Sequence, residues 1–242
     1  MSDYLTPIID SNNPHPIYPN DRVPGCQRRK TAFGKAFRLA SDQIKIIPSS
    51  QWDDYTGSIS LRPMVRTILD QDGIGSCATE ATAQALMVAR TFAGLPHIAL
   101  NPWFIYHTTS GGVDRGSSID ENLQFVMQNG CAPEEIWPRS KGWRAKPSEE
   151  AVEAALTFRN IEVYDIGSIN EMVSALLTGF AVVYGSKGHA VLKVEHIDKS
   201  KGLDVNSWGE TWGDNGFGVW ASYRSVDFSY GAYAVRAIRE AE

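Results

Sequence analysis

The amino-acid sequence predicts an α+β fold in which a helical half precedes a half made mainly of antiparallel strands. From Leu61 to Phe158 the apolar residues recur at the spacing of helix faces. From Ile161 onward, apart from one further helix, short apolar or alternating runs indicate strands. This segregated order favours two lobes with a cleft between them, where a functional site is expected.

Five segments carry helix signals. A serine or proline that can begin a helix stands at the start of each, and a glycine that can end one follows three of them. A helix with enough apolar residues on one side to be buried follows Ser76, so that Cys77 falls in its first turn. The helices are expected to begin near Cys77, Pro102, Ser118, Pro147 and Ser168. The main strand candidates are residues 180–184, 189–197, 203–208, 216–223 and 230–238.

The predicted domain organisation separates an arm from a folded body. Residues 1–48 form an irregular N-terminal arm, because prolines and asparagines interrupt every periodic pattern. Residues 49–242 form the body, with a helical lobe over about 61–158 and a β-rich lobe over about 159–242. The arm is expected to lie along the body or to reach a neighbouring chain as a tether. Since it lacks helical periodicity, it is not expected to plug a cleft as an inhibitory segment would.

Composition excludes several classes of function. The 242 residues carry a formal net charge of −5 without a basic block, which argues against nucleic acid as the main partner. No apolar run is long enough for a membrane span, and residues 1–20 contain no signal-peptide core. Three scattered cysteines form no disulfide framework and fit a reducing, cytoplasmic compartment. No cysteine–histidine pair has zinc-ligand spacing, so no metal is expected.

Cys77 is the first candidate for chemistry. The N-terminus of a helix offers unpaired N–H groups and partial positive charge, both of which favour the nucleophilic thiolate. We therefore predict that Cys77 has a lowered pKa and is the most reactive of the three thiols. The alternative interpretation is that Cys77 is a small buried apolar residue, as many free cysteines are.

Two further residues can complete a nucleophilic site, because a cysteine nucleophile needs a base and the base needs an orienting group. His189 opens a strand directly after a glycine-flanked loop, where its ring can reach a cleft. Asn206 ends a later strand, and its side-chain oxygen can accept an imidazole N–H. Trp208 can shield that hydrogen bond from water. The alternative is a structural histidine and a hairpin loop whose tryptophans merely pack in the core.

The segments around these residues resemble the papain-like cysteine peptidases of the C1 type. They match in the family's order: Asp70–Cys77, then Gly188–Leu192, then Asn206–Gly213. Gln71 precedes Cys77 by six positions, as the oxyanion-hole glutamine of that family precedes its nucleophile.

The stretch between the first two motifs is similar to the prokaryotic and viral branch of this family. There the loop that corresponds to Gly116 and Ser117 borders the substrate cleft. Two departures limit what the resemblance implies about substrates. Ile74 stands where secreted members carry a disulfide cysteine, and the segment between Val183 and His189 is shortened to a tight turn. The usual excursion there helps wall the main specificity pocket, so substrate preference is not carried over.

The resemblance implies a papain-like two-lobed fold and a thiol hydrolase that cleaves peptide bonds through a thioester acyl-enzyme. Cys77 is then the nucleophile, His189 the acid and base, and Asn206 the residue that orients His189. Gln71 stabilises the oxyanion with the Cys77 backbone N–H. The implied substrate-binding residues are Gly116, Ser117 and Trp208. No organic cofactor or metal is implied.

Two alternatives remain open on sequence alone. The same triad serves other acyl chemistry, such as that of a transferase or an isopeptidase. The chain could instead be a structural or interaction component of a larger assembly such as a virion, with weak or no peptidase activity. The expected partners are a peptide or protein substrate and a protein that holds the arm, and neither nucleic acid nor membrane. The chain would then be cytoplasmic, or virion-associated if viral.

Overall fold

The computed structural model describes residues 3–10, 18 and 22–238. Parts of the predicted arm, at residues 1–2, 11–17 and 19–21, lie outside the described residues, as do residues 239–242. The predicted α+β organisation is confirmed. The helices are α1 (Ala40–Gln43), α2 (Trp52–Tyr55), α3 (Cys77–Phe92), α4 (Pro102–Thr109), α5 (Ile119–Asn129), α6 (Glu149–Ala155) and α7 (Ile169–Leu177). The strands are β1 (Cys26–Gln27), β2 (Arg38–Leu39), β3 (Ser117–Ser118), β4 (Ile161–Asp165), β5 (Ala181–Ser186), β6 (His189–Asp198), β7 (Lys201–Val205), β8 (Phe217–Gly218) and β9 (Ala232–Ala237).

One large sheet carries the β-rich part of the fold. Its strand order is β2-β4-β9-β5-β6-β7-β8, and every neighbouring pair is antiparallel except β2 with β4. Alternate residues of β5 face opposite sides, as the pleat of a strand requires. Val183 packs in the core that contains α3, whereas Val182 and Tyr184 pack in the core that contains α7. The nucleophile candidate on α3 is thereby held against one face of the sheet.

The predicted strand over residues 216–223 is shorter in the structure, where only Phe217–Gly218 pairs with β7. Two other partners take the following backbone groups. The Asp204 carboxylate accepts the Trp220 N–H at 2.8 Å, and the Ile8 N–H donates to the Val219 carbonyl at 3.0 Å. The first segment of the arm therefore replaces a strand neighbour at this edge.

The arm packs along the body over most of its described length. Phe37, Ile44 and Ile47 are buried, and the Ile47 N–H donates to the Ser174 hydroxyl on α7 at 2.8 Å. Its strand β2 extends the large sheet, while β1 pairs with β3 beside α5. In the described part of the chain, no helix combines the length and the apolar character needed to cross a membrane.

Candidate active site

Cys77 is the first residue of α3 and its side chain is fully buried. The loop before it turns sharply at Gly73, which has a positive φ of 71°. Ser76 stands at the N-cap position but does not cap the helix with its side chain. Its hydroxyl donates instead to the Glu80 carboxylate at 2.9 Å. No side-chain cap therefore takes the first N–H groups of the helix, and that of Ala78 reaches the Cys77 sulfur.

His189 is placed by a two-residue hairpin turn. Ser186 on β5 pairs with His189 on β6, and the residues between them, Lys187 and Gly188, have φ of 52° and 81°. Two positive φ values are typical of the type I′ turn that closes tight hairpins. This turn sets the imidazole at the end of the sheet beside the N-terminus of α3, where the Ala190 N–H reaches the Cys77 sulfur.

Asn206 follows β7 and orients the imidazole. Its Oδ1 lies 2.7 Å from Nε2 of His189 and also accepts the Ser207 N–H at 2.8 Å. Because Oδ1 is an acceptor, Nε2 carries the proton and Nδ1 is left as the base. Trp208 stacks on the imidazole at a centroid distance of 4.6 Å, and Trp220 meets it edge-on at 4.8 Å. The predicted covering of this bond by Trp208 is thus present, and Trp220 adds a second wall that the sequence did not indicate.

Gln71 is buried and its amide has a fixed orientation. Its Oε1 accepts hydrogen bonds from the Ser207 hydroxyl and the Trp208 indole N–H, both at 3.0 Å. Its Nε2 donates to the carbonyl oxygens of Ile74 at 2.7 Å and Val23 at 3.1 Å. Gln71 therefore presents an N–H donor to a carbonyl that the arm brings into the cleft.

The arm fills the cleft above Cys77, so the prediction that it does not act as a plug is wrong. The Ser117 N–H donates to the Gly25 carbonyl at 2.9 Å, and the Cys26 N–H donates to the Gly188 carbonyl at 2.8 Å. A Cβ on Gly116 would lie 2.1 Å from the Gly25 oxygen. Gly116 and Ser117, predicted to bind substrate, are thus occupied by the protein's own backbone. Extended backbone needs no helical periodicity to fill a cleft, which is why that criterion failed.

Burial shifts the pKa of both reactive groups in the direction that disfavours their charged forms. It raises the pKa of Cys77 to about 11, against the opposing effect of hydrogen bonds from the Ala190, Gly25 and Ala78 N–H groups. It lowers the pKa of His189 to about 4. The prediction of a lowered thiol pKa is therefore wrong for the covered cleft, because desolvation outweighs the helix N-terminus. His189 Nδ1 is buried without a hydrogen-bond partner among the described residues, so the predicted direct contact with Cys77 is not formed here as a hydrogen bond.

Sequence reasoning missed the residues that hold the arm. Arg22 pairs with Asp70 at 2.6 Å, and Arg29 pairs with the fully buried Asp165, also at 2.6 Å. Tyr18 lies over the site, with its ring 6.2 Å from that of His189 and its hydroxyl donating to the Lys187 carbonyl. The two arginines bracket the segment in the cleft. A Pro-Gly step between flanking arginines was the available signal for an anchored, extended segment.

A second missed group supports the loop that carries Gln71. Arg139 pairs with the buried carboxylate of Glu80 and donates to the backbone carbonyl of Asp70. Its guanidinium also lies 4.7 Å from the ring centroid of Trp103. An acidic side chain on the buried face of α3 was the signal, since such a group needs a partner. Among the described residues, no group of three or more His, Cys, Asp or Glu side chains is arranged to hold a metal ion.

The sequence is similar to that of a curated viral protein. No protein-family model matches the chain. Over 203 residues it is 27% identical to an uncharacterised peptidase C1-like protein of Acanthamoeba polyphaga mimivirus. That match covers 64% of this chain, and it spans 64% of the viral protein's length.

Solved structures of cysteine proteases have the same fold. Xylellain of Xylella fastidiosa matches with a TM-score of 0.67 at 21% identity, covering 88% of this chain and 98% of its own. Procathepsin L 3 of the Tenebrio molitor larval midgut matches with a TM-score of 0.60 at 16% identity, covering 74% of this chain and 69% of its own. A cysteine protease of Carica candamarcensis matches with a TM-score of 0.57 at 18% identity, covering 76% of this chain and 98% of its own. Fold and sequence together confirm the predicted resemblance: this chain has the papain-like fold, and its sequence is similar to that of a peptidase C1-like protein.

Proposed function

We propose that this protein is a cysteine peptidase whose own arm keeps it latent. The observation that carries the proposal is the hydrogen bond between His189 and Asn206 under Trp208, next to a helix that begins with Cys77. A buried imidazole held in one tautomer beside the N-terminus of a helix that begins with a cysteine is the arrangement a thiol nucleophile needs. The substrates are peptide or protein chains bound in extended form, and no cofactor takes part.

The reaction begins once the arm leaves the cleft. The Cys77 thiol transfers its proton to Nδ1 of His189, and the thiolate attacks the carbonyl carbon of the scissile peptide bond. The oxyanion accepts hydrogen bonds from Nε2 of Gln71 and from the Cys77 backbone N–H. The imidazolium then protonates the leaving amine as the C–N bond breaks, which leaves a thioester on Cys77. A water molecule gives a proton to His189 and attacks the thioester, which releases the carboxylic acid and restores the thiol.

Asn206 serves this cycle because its Oδ1 accepts a hydrogen bond from the Nε2–H of His189 throughout. Gly116 and Ser117 offer the backbone edge on which an extended peptide can pair. The Ser117 N–H already bonds the Gly25 carbonyl in this manner. The arm therefore indicates how the cleft binds extended backbone, and Trp208 forms part of the wall beside it.

The arm is bound as an inhibitor rather than as a substrate. The Gly25 N–H points to the Cys77 sulfur, while the Gly25 carbonyl is turned away toward Ser117. Attack requires a carbonyl carbon within reach of the sulfur. The Val23 carbonyl, which accepts the hydrogen bond from Gln71, precedes a proline. The arm then protects the thiol from reaction until it is displaced or cut.

The structural alternative draws support from the same contacts, because a covered thiol with a raised pKa suits a protein without activity. Two measurements separate the proposals. The wild-type chain and a Gly25→Ala variant are incubated with a peptide library, and new termini are identified by mass spectrometry, with Cys77→Ser as the control. We expect cleavage by the Gly25→Ala variant that Cys77→Ser abolishes. Isopeptide or transfer products would indicate other acyl chemistry, and no product despite an alkylatable Cys77 would favour the structural role.

A further inference from the structure

A small cavity lies behind the histidine–asparagine pair, between α3 and the end of β7. Its volume is about 10 Å³, enough for one water molecule. Glu80 and Gln84 line it from the nucleophile helix, and Asn206 lines it from the sheet. The cavity thus separates the helix that carries Cys77 from the residue that orients His189.

The polar atoms around this cavity are unusual. Glu80 Oε2, both amide atoms of Gln84 and Asn206 Nδ2 are buried and have no hydrogen-bond partner among the described protein groups. Buried polar atoms without partners are rare, because each loses its hydration on folding. The remaining atoms of two of these groups are well bonded. Asn206 Oδ1 accepts from His189 and Ser207, and Glu80 Oε1 accepts from Ser76 and Arg139.

These bonds fix which atoms remain without a protein partner. Turning the Asn206 amide over would set its NH₂ group against the Ser207 N–H, so Nδ2 must remain the unpartnered atom. The Arg139 ion pair likewise holds Glu80 so that Oε2 is the atom left over. Three side chains that carry two unpartnered donors and two unpartnered acceptors therefore line a space that can hold one water molecule, which is the condition for a structural water.

We propose that this cavity binds one internal water molecule. The water accepts the Asn206 Nδ2–H and donates to Glu80 Oε2 and Gln84 Oε1. Glu80 and Gln84 then act as positioning residues, because the water ties the plane of the Asn206 amide to α3. A part of this inference, the effect on His189, rests on the proposed function. The water site itself does not.

A crystal structure of the full-length chain at a resolution that shows ordered waters tests the site. One water is expected within about 3.2 Å of Asn206 Nδ2, Glu80 Oε2 and Gln84 Oε1. Gln84→Leu should remove it, whereas Thr82→Val should retain it. Thr82 is a matched control because it is buried on the same helix and its hydroxyl bonds only the Ala78 carbonyl. Direct pairing of Gln84 with Asn206 or Glu80 in the wild-type crystal would overturn the proposal.

The proton on Nε2 of His189 reports the positioning role by NMR. It should give a slowly exchanging downfield signal in the wild type and in Thr82→Val, and a broadened or lost signal in Gln84→Leu. In turnover, measured in the Gly25→Ala background, Gln84→Leu should lower kcat about tenfold and leave KM nearly unchanged. If that variant does not fold, Gln84→Met serves in its place. An unchanged NMR signal and kcat after loss of the water would overturn the positioning role. Water and signal changes without any peptidase activity in the Gly25→Ala variant would contradict the proposed function alone.

Discussion

Gly25 of the arm and Gly75 of the nucleophile loop lie in backbone contact across the cleft. A Cβ on Gly25 would come within 1.9 Å of the Gly75 carbonyl oxygen. Gly25 is not among the residues with positive φ, so an alanine suits its backbone and only the contact is lost. The arm can therefore approach the nucleophile loop this closely only because Gly25 has no side chain.

The first prediction follows from this contact. Gly25→Ala should displace the arm and raise the rate of Cys77 alkylation by iodoacetamide by roughly tenfold or more, since about 1.4 kcal/mol changes a population tenfold. Mass spectrometry of the labelled peptide gives the rate. Val23→Ala is the matched control, because the Val23 side chain is exposed while its backbone carbonyl makes the contact to Gln71. Equal rates for both variants and the wild type would show that Gly25 does not hold the cleft closed.

The second prediction concerns the two neighbouring cations of the arm. Arg29→Ala should lower the free energy of unfolding by about 3 kcal/mol, because it leaves the buried Asp165 carboxylate without its ionic partner. Lys30→Ala should change it by less than about 0.5 kcal/mol, since the Lys30–Glu121 pair is exposed. Urea denaturation measures both. Similar losses of unfolding free energy in the two variants would mean that the buried Arg29–Asp165 pair contributes no more to stability than the exposed Lys30–Glu121 pair.

The third prediction is a pH profile. With the thiol pKa raised to about 11, the thiolate fraction in the wild type grows about tenfold per pH unit up to that value. The alkylation rate of Cys77 should therefore keep rising between pH 7 and pH 10. Arm displacement in Gly25→Ala readmits water, which favours the charged forms of both Cys77 and His189 and moves the rise to lower pH. A wild-type profile that is flat from pH 6 upward would contradict the raised pKa.

Local sequence patterns were sufficient to place the residues of the candidate site on their elements. Cys77 begins α3, His189 begins β6, and Asn206 follows β7, each at the point where the pattern predicted it. These placements depend on short-range signals such as helix starts, glycine turns and alternation along a strand. The family likeness then supplied the interpretation of Gln71 and of Ser117.

The course of the arm could not be predicted in the same way. Gly25 and Cys26 are held by backbone hydrogen bonds to Ser117 and Gly188, which are distant in sequence. Backbone contacts leave no side-chain pattern, so an extended inhibitory segment looks like an irregular one. The pKa of the Cys77 thiol was mispredicted for the same reason. A helix N-terminus favours the thiolate, but the desolvation that outweighs it comes from a segment whose position was unknown.

The fourth prediction tests the oxyanion donor. In the Gly25→Ala background, Gln71→Ala should lower kcat/KM about 100-fold, since it removes a donor that acts on the transition state. The alkylation rate of Cys77 in this double variant should not fall, because the hydrogen bonds of Gln71 include one to the arm and none to the thiol among the described residues. Ser207→Ala is the control, as it removes only one bond to Gln71 Oε1 and should cost far less. Equal losses in the two variants would argue that Gln71 acts only by packing.

The fifth prediction concerns a buried ion pair that supports the wall of the site. Lys193 Nζ lies 2.8 Å from Asp204 Oδ1, and neither side chain is exposed to solvent. The other carboxylate oxygen of Asp204 accepts the Trp220 N–H at 2.8 Å and the Tyr184 hydroxyl at 3.1 Å. Trp220 in turn packs against the imidazole of His189. The pair thus stabilises the backbone on which one wall of the site is built.

Asp204→Ala should cost about 3–5 kcal/mol of unfolding free energy, because it strands the Lys193 ammonium in the core. Lys193→Met in the same chain should recover part of that loss, since it removes the uncompensated charge. The double variant should therefore be more stable than Asp204→Ala alone, with a coupling energy of about 1–3 kcal/mol by urea denaturation. Strictly additive losses would contradict a direct pairing of the two charges. Near-normal stability of Asp204→Ala would show that neither the fold nor the position of the Trp220 backbone depends on this carboxylate.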